Sequence, residues 1–142
     1  MTKPLLALLL VTIISACATS HQSKGMVFTD DGLAFASLRD VLERNCVHCH
    51  GDNRLSTMSP MNDTRGLSKL ISSGWIVPGQ PEKSRFFQVV TFPDEVPGAM
   101  PPSGHAISKQ DVKILRDWIE DCAMLPQKNF ILHPKGPLPR SI

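Results

Sequence analysis

The sequence contains no tyrosine, and only 6% of its 142 residues are aromatic. A small domain with so few aromatic side chains has little with which to fill a core. Such domains often rely on a disulfide, a metal or a cofactor for stability. A chain of this length is expected to form one domain.

A charge excess of one sign is also lacking. The 15 lysines and arginines oppose 13 aspartates and glutamates, which leaves a formal charge of +2. A protein that binds nucleic acid usually concentrates its basic residues in a stripe, and the charges here are mixed along the chain. We therefore expect no nucleic-acid partner.

The N-terminal apolar run is too short for a mature transmembrane helix, which needs about 20 residues. Residues 5–14 are apolar except for Thr12, and they follow the positive charge of Lys3. Their length and flanks are typical of a secretory signal. These first residues are therefore not expected to belong to the folded domain.

The signal leads into Ile14-Ser15-Ala16-Cys17, which resembles a bacterial lipobox. In a lipobox the cysteine is acylated and becomes the new N-terminus, so residues 1–16 are predicted to be removed and Cys17 to carry lipid. Several acyl chains give stable anchoring. This predicts an extracytoplasmic protein on the periplasmic side, and Ala18 after the cysteine favours the outer membrane of a Gram-negative bacterium. Alternatively, an ordinary signal peptide is cleaved near Ala16 or Ala18, and Cys17 carries no lipid.

Beyond a flexible tether over residues 17–32, the apolar residues follow helical spacing. Helices are predicted over 33–45, over 64–73 with Asp63 as N-cap, from Pro81 onward, and from a Ser108 N-cap to a point between 122 and 125. No strand-like alternation is found. The predicted fold class is therefore all-α.

The remaining segments are rich in proline. Residues 91–107 contain four prolines and two glycines and are predicted to be loop. The folded domain is placed at residues 33–125. The proline-rich tail at 126–142 is expected to be extended and mostly exposed to solvent.

One short segment carries a specific chemical motif. Residues 46–50 read Cys-Val-His-Cys-His, the C-x-x-C-H pattern of c-type haem attachment. Cys46 and Cys49 are spaced to form thioethers with the two vinyl groups of the porphyrin, and the imidazole of His50 can then bind the iron. The motif predicts one covalent haem c.

Three other interpretations of this segment compete. A thioredoxin-like C-x-x-C pair normally follows a β-strand, and no strand is predicted here. A zinc site could use both cysteines and one histidine, but no second C-x-x-C and no histidine pair at finger spacing is found. A simple disulfide between Cys46 and Cys49 leaves His50 unexplained. Cys122 is left without an assignment.

With these features, residues from about Leu33 to Ala123 resemble a class I cytochrome c domain of the planctomycete-type or related bacterial monohaem kind. The likeness is carried by a helix that leads into CVHCH, and by the segments IVPGQPEKSRFFQVV, AMPPSGHAIS and DVKILRDWIEDCA. It implies roughly four to five helices around one covalent haem, with the first and last helices crossing beside it.

The resemblance also implies that the loop before the last helix delivers a methionine to the iron, which makes Met100 the distal ligand. Among the six methionines, Met100 is the one with enough intervening chain to pass over the opposite haem face. Prolines such as Pro101 would stiffen its loop. His105 is the rival, and it would give bis-histidine ligation.

Three residues are candidates for the haem pocket. Trp75 is a candidate to donate its indole N–H to a haem propionate, and Arg85 to pair with one. The alternatives are plain core packing for Trp75 and a solvated helix face for Arg85. Pro101 completes the set through its place beside Met100.

The predicted function follows from histidine and methionine ligation. An iron with both axial positions filled has none left for a substrate, so we expect an electron carrier that acts by outer-sphere transfer and not an enzyme. The expected partners are other redox proteins that dock transiently, and the membrane through the N-terminal lipid. The alternatives are a haem that binds gas or peroxide, and an electron-entry subunit of a larger redox enzyme complex.

Overall fold

The computed structural model describes residues 33–52, 54, 57–102 and 107–136. The predicted signal peptide, the lipid site Cys17, the tether, His105 and the end of the tail lie outside these residues. Within them the chain forms helices and no strand, which confirms the all-α prediction. None of the helices in these ranges is long and apolar enough to cross a membrane.

The elements follow the predicted order along the chain. They are α1 (Leu33–Asn45), α2 (Val47–His50), α3 (Thr64–Ser72), a 3-10 helix (Pro81–Lys83), α4 (Arg85–Thr91) and α5 (Lys109–Glu120). The segments between α2 and α3 and between α4 and α5 are loops where the structure describes them.

The first and last helices pack against each other and form the centre of the core. Leu38 and Leu42 of α1 are fully buried, as is Leu115 of α5, and all three belong to one hydrophobic cluster. Complete burial of a leucine side chain stabilises the fold by roughly 2 kcal/mol. The helical spacing seen in the sequence therefore corresponds to the buried stripe of each helix.

Helix α3 begins where the sequence predicts and ends one residue earlier than predicted. The side chain of Asp63 accepts a hydrogen bond from the backbone N–H of Gly66 at 2.7 Å, as an N-cap does. After Ser72 the chain turns at Gly74, whose φ of +78° is in the left-handed region that favours glycine. The end differs from the predicted Ser73 by one residue.

The helix predicted from Pro81 is interrupted at Ser84. This residue is fully buried with an extended backbone, and it separates the 3-10 helix from α4. Its hydroxyl donates to the carbonyl of Gln80 at 3.0 Å and accepts from the N–H of Val77 at 2.9 Å. These bonds provide partners for backbone groups of the preceding turn, and they compete with the backbone hydrogen bonds of a continuous helix.

Helix α5 starts as predicted and ends earlier than predicted. The Ser108 hydroxyl accepts from the N–H of Asp111 at 3.0 Å, but the helix stops at Glu120 and not at 122–125. The chain then folds back, because the N–H of Ala123 donates to the carbonyl of Trp118 and the Trp118 indole donates to the carbonyl of Met124, both at 2.9 Å.

Most residues of the described tail, 126–136, are exposed as predicted, but residues 129–135 also bond to the domain. Leu132 is only 2% exposed, and its N–H donates to the carbonyl of Asn62 at 2.8 Å. The ring of Phe130 lies 5.8 Å from that of Phe35 on α1. This segment, called the strap below, packs on the domain through Phe130 and Leu132, which the proline-rich composition of the whole tail did not indicate.

The strap meets α1 at Glu43, a carboxylate whose residue is fully buried. Arg39 Nε donates to its Oε1 at 2.9 Å, Lys135 Nζ lies 2.8 Å from its Oε2, and the N–H of His133 donates to Oε1 at 3.1 Å. Burial alone raises the pKa of Glu43. The hydrogen bonds from Lys135, Arg39 and His133 outweigh that effect and lower the pKa below its usual value of 4.5.

We expect the stability of the fold to decline at acid pH through Glu43. Because folding lowers the pKa of Glu43, its charged form stabilises the native state above pH 4.5, and this is lost as the pH falls through the native pKa. Glu43→Gln should lose about 2 kcal/mol of unfolding free energy at neutral pH. The gap to wild type should narrow as the pH falls below 4.5 and through the lowered native pKa.

Chemical denaturation at a series of pH values measures this gap. Glu120→Gln is the matched control, because Glu120 is an exposed carboxylate paired with Arg116 at 3.6 Å, and exposed pairs contribute little. A gap that stays constant from neutral to acid pH would show that the charge of Glu43 does not stabilise the fold.

Candidate functional site

The motif residues lie on one turn that continues α1. The N–H of Cys46 donates to the carbonyl of Leu42 at 2.8 Å, and the N–H groups of Cys49 and His50 donate to the carbonyl of Cys46 at 3.2 and 2.9 Å. Cys46 is half-buried against the core, whereas Cys49 is exposed. Both thiols are free, so a single helical turn presents two sulfurs that can react.

The residue after the motif has to be glycine. A Cβ added to Gly51 would collide with the backbone carbonyl oxygen of Val47. Because that oxygen belongs to the turn itself, it cannot rotate away as a side chain would. Gly51 therefore lets the chain leave the motif directly behind His50.

The ring of His50 is oriented by a backbone carbonyl. Its Nδ1 lies 2.9 Å from the carbonyl oxygen of Ser59. A carbonyl only accepts hydrogen bonds, so Nδ1 carries the proton and Nε2 keeps a free lone pair. Histidines that bind metal are commonly held in this way, with the second nitrogen bonded to a carbonyl or carboxylate. The geometry leaves Nε2 available as a ligand.

A buried carboxylate lies beside Cys46. Asp111, at the start of α5, accepts two hydrogen bonds from Arg44 at 3.1 and 3.0 Å and one from Asn45 Nδ2 at 3.2 Å. Burial, and then the negative charges of Asp111 and Cys49, raise the pKa of the Cys46 thiol to about 12. Since the thiolate is the reactive form, these surroundings make the Cys46 thiol less reactive than an ordinary cysteine.

Met100 lines a cavity of about 330 Å³ between α4, the following loop and α5. Its backbone N–H donates to the carbonyl of Val89 at 2.8 Å, which ties the loop to α4. The apolar lining is formed by Val90, Phe92, Ala99, Pro101, Ile107 and Val112. A thioether in such surroundings can act as a soft ligand for a metal.

Only some of the predicted site residues share a cluster or a cavity in the structure. Cys46 and Met100 pack against the same hydrophobic cluster. Cys46, Cys49 and His50, all of them described, are not among the residues that line the cavity beside Met100. The motif turn and the methionine-lined cavity are therefore two separate features on one core.

The three pocket candidates have different surroundings. Pro101 lines the cavity. The guanidinium of Arg85 lies over the ring of Phe92, 5.1 Å from its centre, and Phe92 lines the same cavity. Trp75 is 44% exposed, so plain core packing does not describe it. In the described part of the chain, the indole with a hydrogen-bond acceptor is that of Trp118, which donates to the Met124 carbonyl at 2.9 Å.

Sequence reasoning did not single out Ser59, or Asp111 other than as a helix-capping residue. Ser59 acts through its backbone carbonyl, for which side-chain identity is no guide. Asp111 pairs with Arg44 across 67 positions of sequence, and no periodicity connects such distant residues. Arg44 and Asn45 at the end of α1 were the available signal, because polar side chains next to a motif often bond to a residue on a neighbouring helix.

Among the described residues, no three His, Cys, Asp or Glu side chains gather into a group that could hold a metal ion by themselves. Comparison of the chain with protein-family models, with curated proteins and with solved structures finds no match.

Proposed function

We propose that the protein is a monohaem c-type cytochrome that carries electrons. Cys46 and Cys49 would form the two thioethers, His50 would be the proximal iron ligand and Met100 the distal one. The observation that carries the proposal is the hydrogen bond from His50 Nδ1 to the Ser59 carbonyl within a C-x-x-C-H turn. It prepares Nε2 of the motif histidine, and no other nitrogen of that ring, for a metal.

The donor set fits a haem better than it fits a bare ion. Two free thiols on one helical turn match the two vinyl groups, whereas a zinc site needs a fourth protein ligand or an open position. The apolar cavity beside Met100 suits a flat hydrophobic ring. A small core with few aromatic residues also gains stability from a bound hydrophobic group.

When bound, haem supplies an iron that accepts and releases one electron. The residues of the chain determine how readily it does so. The Ser59 carbonyl holds the His50 ring and raises its basicity as a ligand. The Met100 thioether would favour the ferrous state and so raise the potential.

The proposed partners are redox proteins that dock briefly, as transient electron-transfer complexes do. Lipid on Cys17 would confine the carrier to a membrane surface on the periplasmic side. That would raise its effective concentration near membrane-bound partners. The anchor rests on the lipobox resemblance alone, and it is independent of the haem assignment.

An absorption spectrum tests the proposal. Protein purified from a host with haem maturation should be red, low-spin in both oxidation states, and unchanged by carbon monoxide. A ready shift with carbon monoxide would favour the gas-binding alternative. A colourless protein whose Cys46 and Cys49 thiols both titrate as free would overturn the haem assignment itself.

A further inference from the structure

The strap, residues 129–135, is bonded on one side to the segment that leads into α3. The N–H of Thr64 donates to the carbonyl of Phe130, and the N–H of Phe130 donates to the Thr64 hydroxyl, both at 3.1 Å. The N–H of Leu132 donates to the carbonyl of Asn62 at 2.8 Å. The Asn129 side chain adds two more, accepting from the Thr64 hydroxyl at 2.8 Å and donating to the Asp63 carboxylate at 3.3 Å, so the strap holds residues 62–64 by five hydrogen bonds.

On its other side the strap is bonded to α1 and to the motif turn. The N–H of Lys135 donates to the carbonyl of Glu43 at 2.8 Å, and its ammonium pairs with the buried carboxylate of the same residue. His48 Nε2 lies 3.0 Å from the carbonyl of Lys135. His48 is a middle residue of the C-x-x-C-H motif, so the strap contacts the site directly.

The segment held by the strap is the one that orients His50. The Ser59 carbonyl receives His50 Nδ1 at 2.9 Å, and the N–H of Met61 donates to the carbonyl of His50 at 2.9 Å. Between these two, the carbonyl of Pro60 lies against Gly66, at which an added Cβ would collide with it. The segment is closely packed, and the strap bonds to the very next residue, Asn62.

We propose that the strap is a positioning element for His50: anchored by the Glu43–Lys135 ion pair, it holds the Ser59 carbonyl at the imidazole. Its hydrogen bonds lie on both sides of His50, in the turn that carries the ring and in the segment that receives its N–H. A partner that orients a ligating histidine sets the basicity of that ligand. This inference deepens the proposed function, because it rests on His50 being the proximal ligand.

Lys135→Met is the variant that tests the strap in the haem-loaded, full-length protein. It removes the charge that pairs with Glu43 and with the exposed Asp40 but keeps the aliphatic stem. The Lys135 side chain is 52% exposed, so the chain should still fold. We expect the His50 Nδ1–H proton to exchange with solvent roughly tenfold faster in NMR spectra of the ferrous protein. The reduction potential should become more positive, because a less basic imidazole stabilises ferric iron less.

Two matched variants separate positioning from general stability. Lys135→Arg keeps the cation and should restore both values. Lys113→Met removes another exposed lysine, 63% exposed and paired with Asp117 on α5, and should leave both values at wild type. A Lys135→Met protein that is less stable but has unchanged exchange and potential would overturn the inference.

The inference and the proposed function fail in different ways. A colourless wild-type protein would overturn the haem proposal. The ¹⁵N chemical shifts of His50 in that protein would then test whether the strap positions its ring. The Nδ1-protonated tautomer should predominate in the wild type and mix with the other in Lys135→Met. If the two proteins had the same tautomer populations, the inference about the strap would be overturned.

Discussion

Replacing Cys46 and Cys49 together by alanine is expected to leave the purified protein without covalently bound haem. Each thioether forms when a thiol S–H adds across a vinyl group, so the double variant has no sulfur on the motif turn to attach. Haem retained through denaturing electrophoresis should fall from about one per chain to background. Intact mass spectrometry should show the mass of the polypeptide alone.

The single variants are the controls for this experiment. Cys46→Ala and Cys49→Ala each keep one thiol on the turn, and each should still retain some haem through denaturation. The exposed Cys49 should be the easier of the two to attach in a folded chain, because Cys46 is half-buried beside Asp111. A double variant that holds its haem through denaturation would disprove both attachment sites.

Met100→Ala is expected to turn a haem that ignores carbon monoxide into one that binds it. Loss of the thioether would free one axial position beside the cavity, whose other lining residues include no histidine, cysteine or methionine. The ferrous protein should bind about one carbon monoxide per haem, and its reduction potential should fall because the thioether favours ferrous iron. Difference spectra with and without the gas measure the change.

Met124→Ala is the matched control, since Met124 is 48% exposed and does not line the cavity. It should keep the native spectrum and remain indifferent to carbon monoxide. A Met100→Ala protein that also keeps the native spectrum would show that another residue is the distal ligand. His105→Ala would then be the variant to examine, as the alternative from the sequence.

Most of the helices could be predicted from the sequence because their signals are local. The Asp63 and Ser108 caps bond to backbone groups three residues away, and the buried stripes repeat within single helices. The exceptions have local causes that lie in geometry: the hydroxyl of Ser84 bonds to the preceding turn and interrupts a helix, and the Trp118 indole draws the chain back after Glu120.

The candidate site, too, could be predicted only where it depends on residues close together in sequence. The C-x-x-C-H motif is five consecutive residues, so its chemistry can be recognised without a structure. The groups that support it are distant in sequence: Arg44 reaches Asp111, and His48 meets Lys135 across 87 positions. Many pairings of charged residues are compatible with one composition, and packing alone selects among them.

From the order of its residues alone, this chain specifies where its helices begin and which turn carries two thiols and an imidazole, because those properties depend on neighbours within about one or two helical turns. Folding decided the rest. It buried Glu43, brought the strap back to α1, and placed a carbonyl at His50. The physical reason is that hydrogen bonds and ion pairs between remote segments form only once the core has brought those segments together.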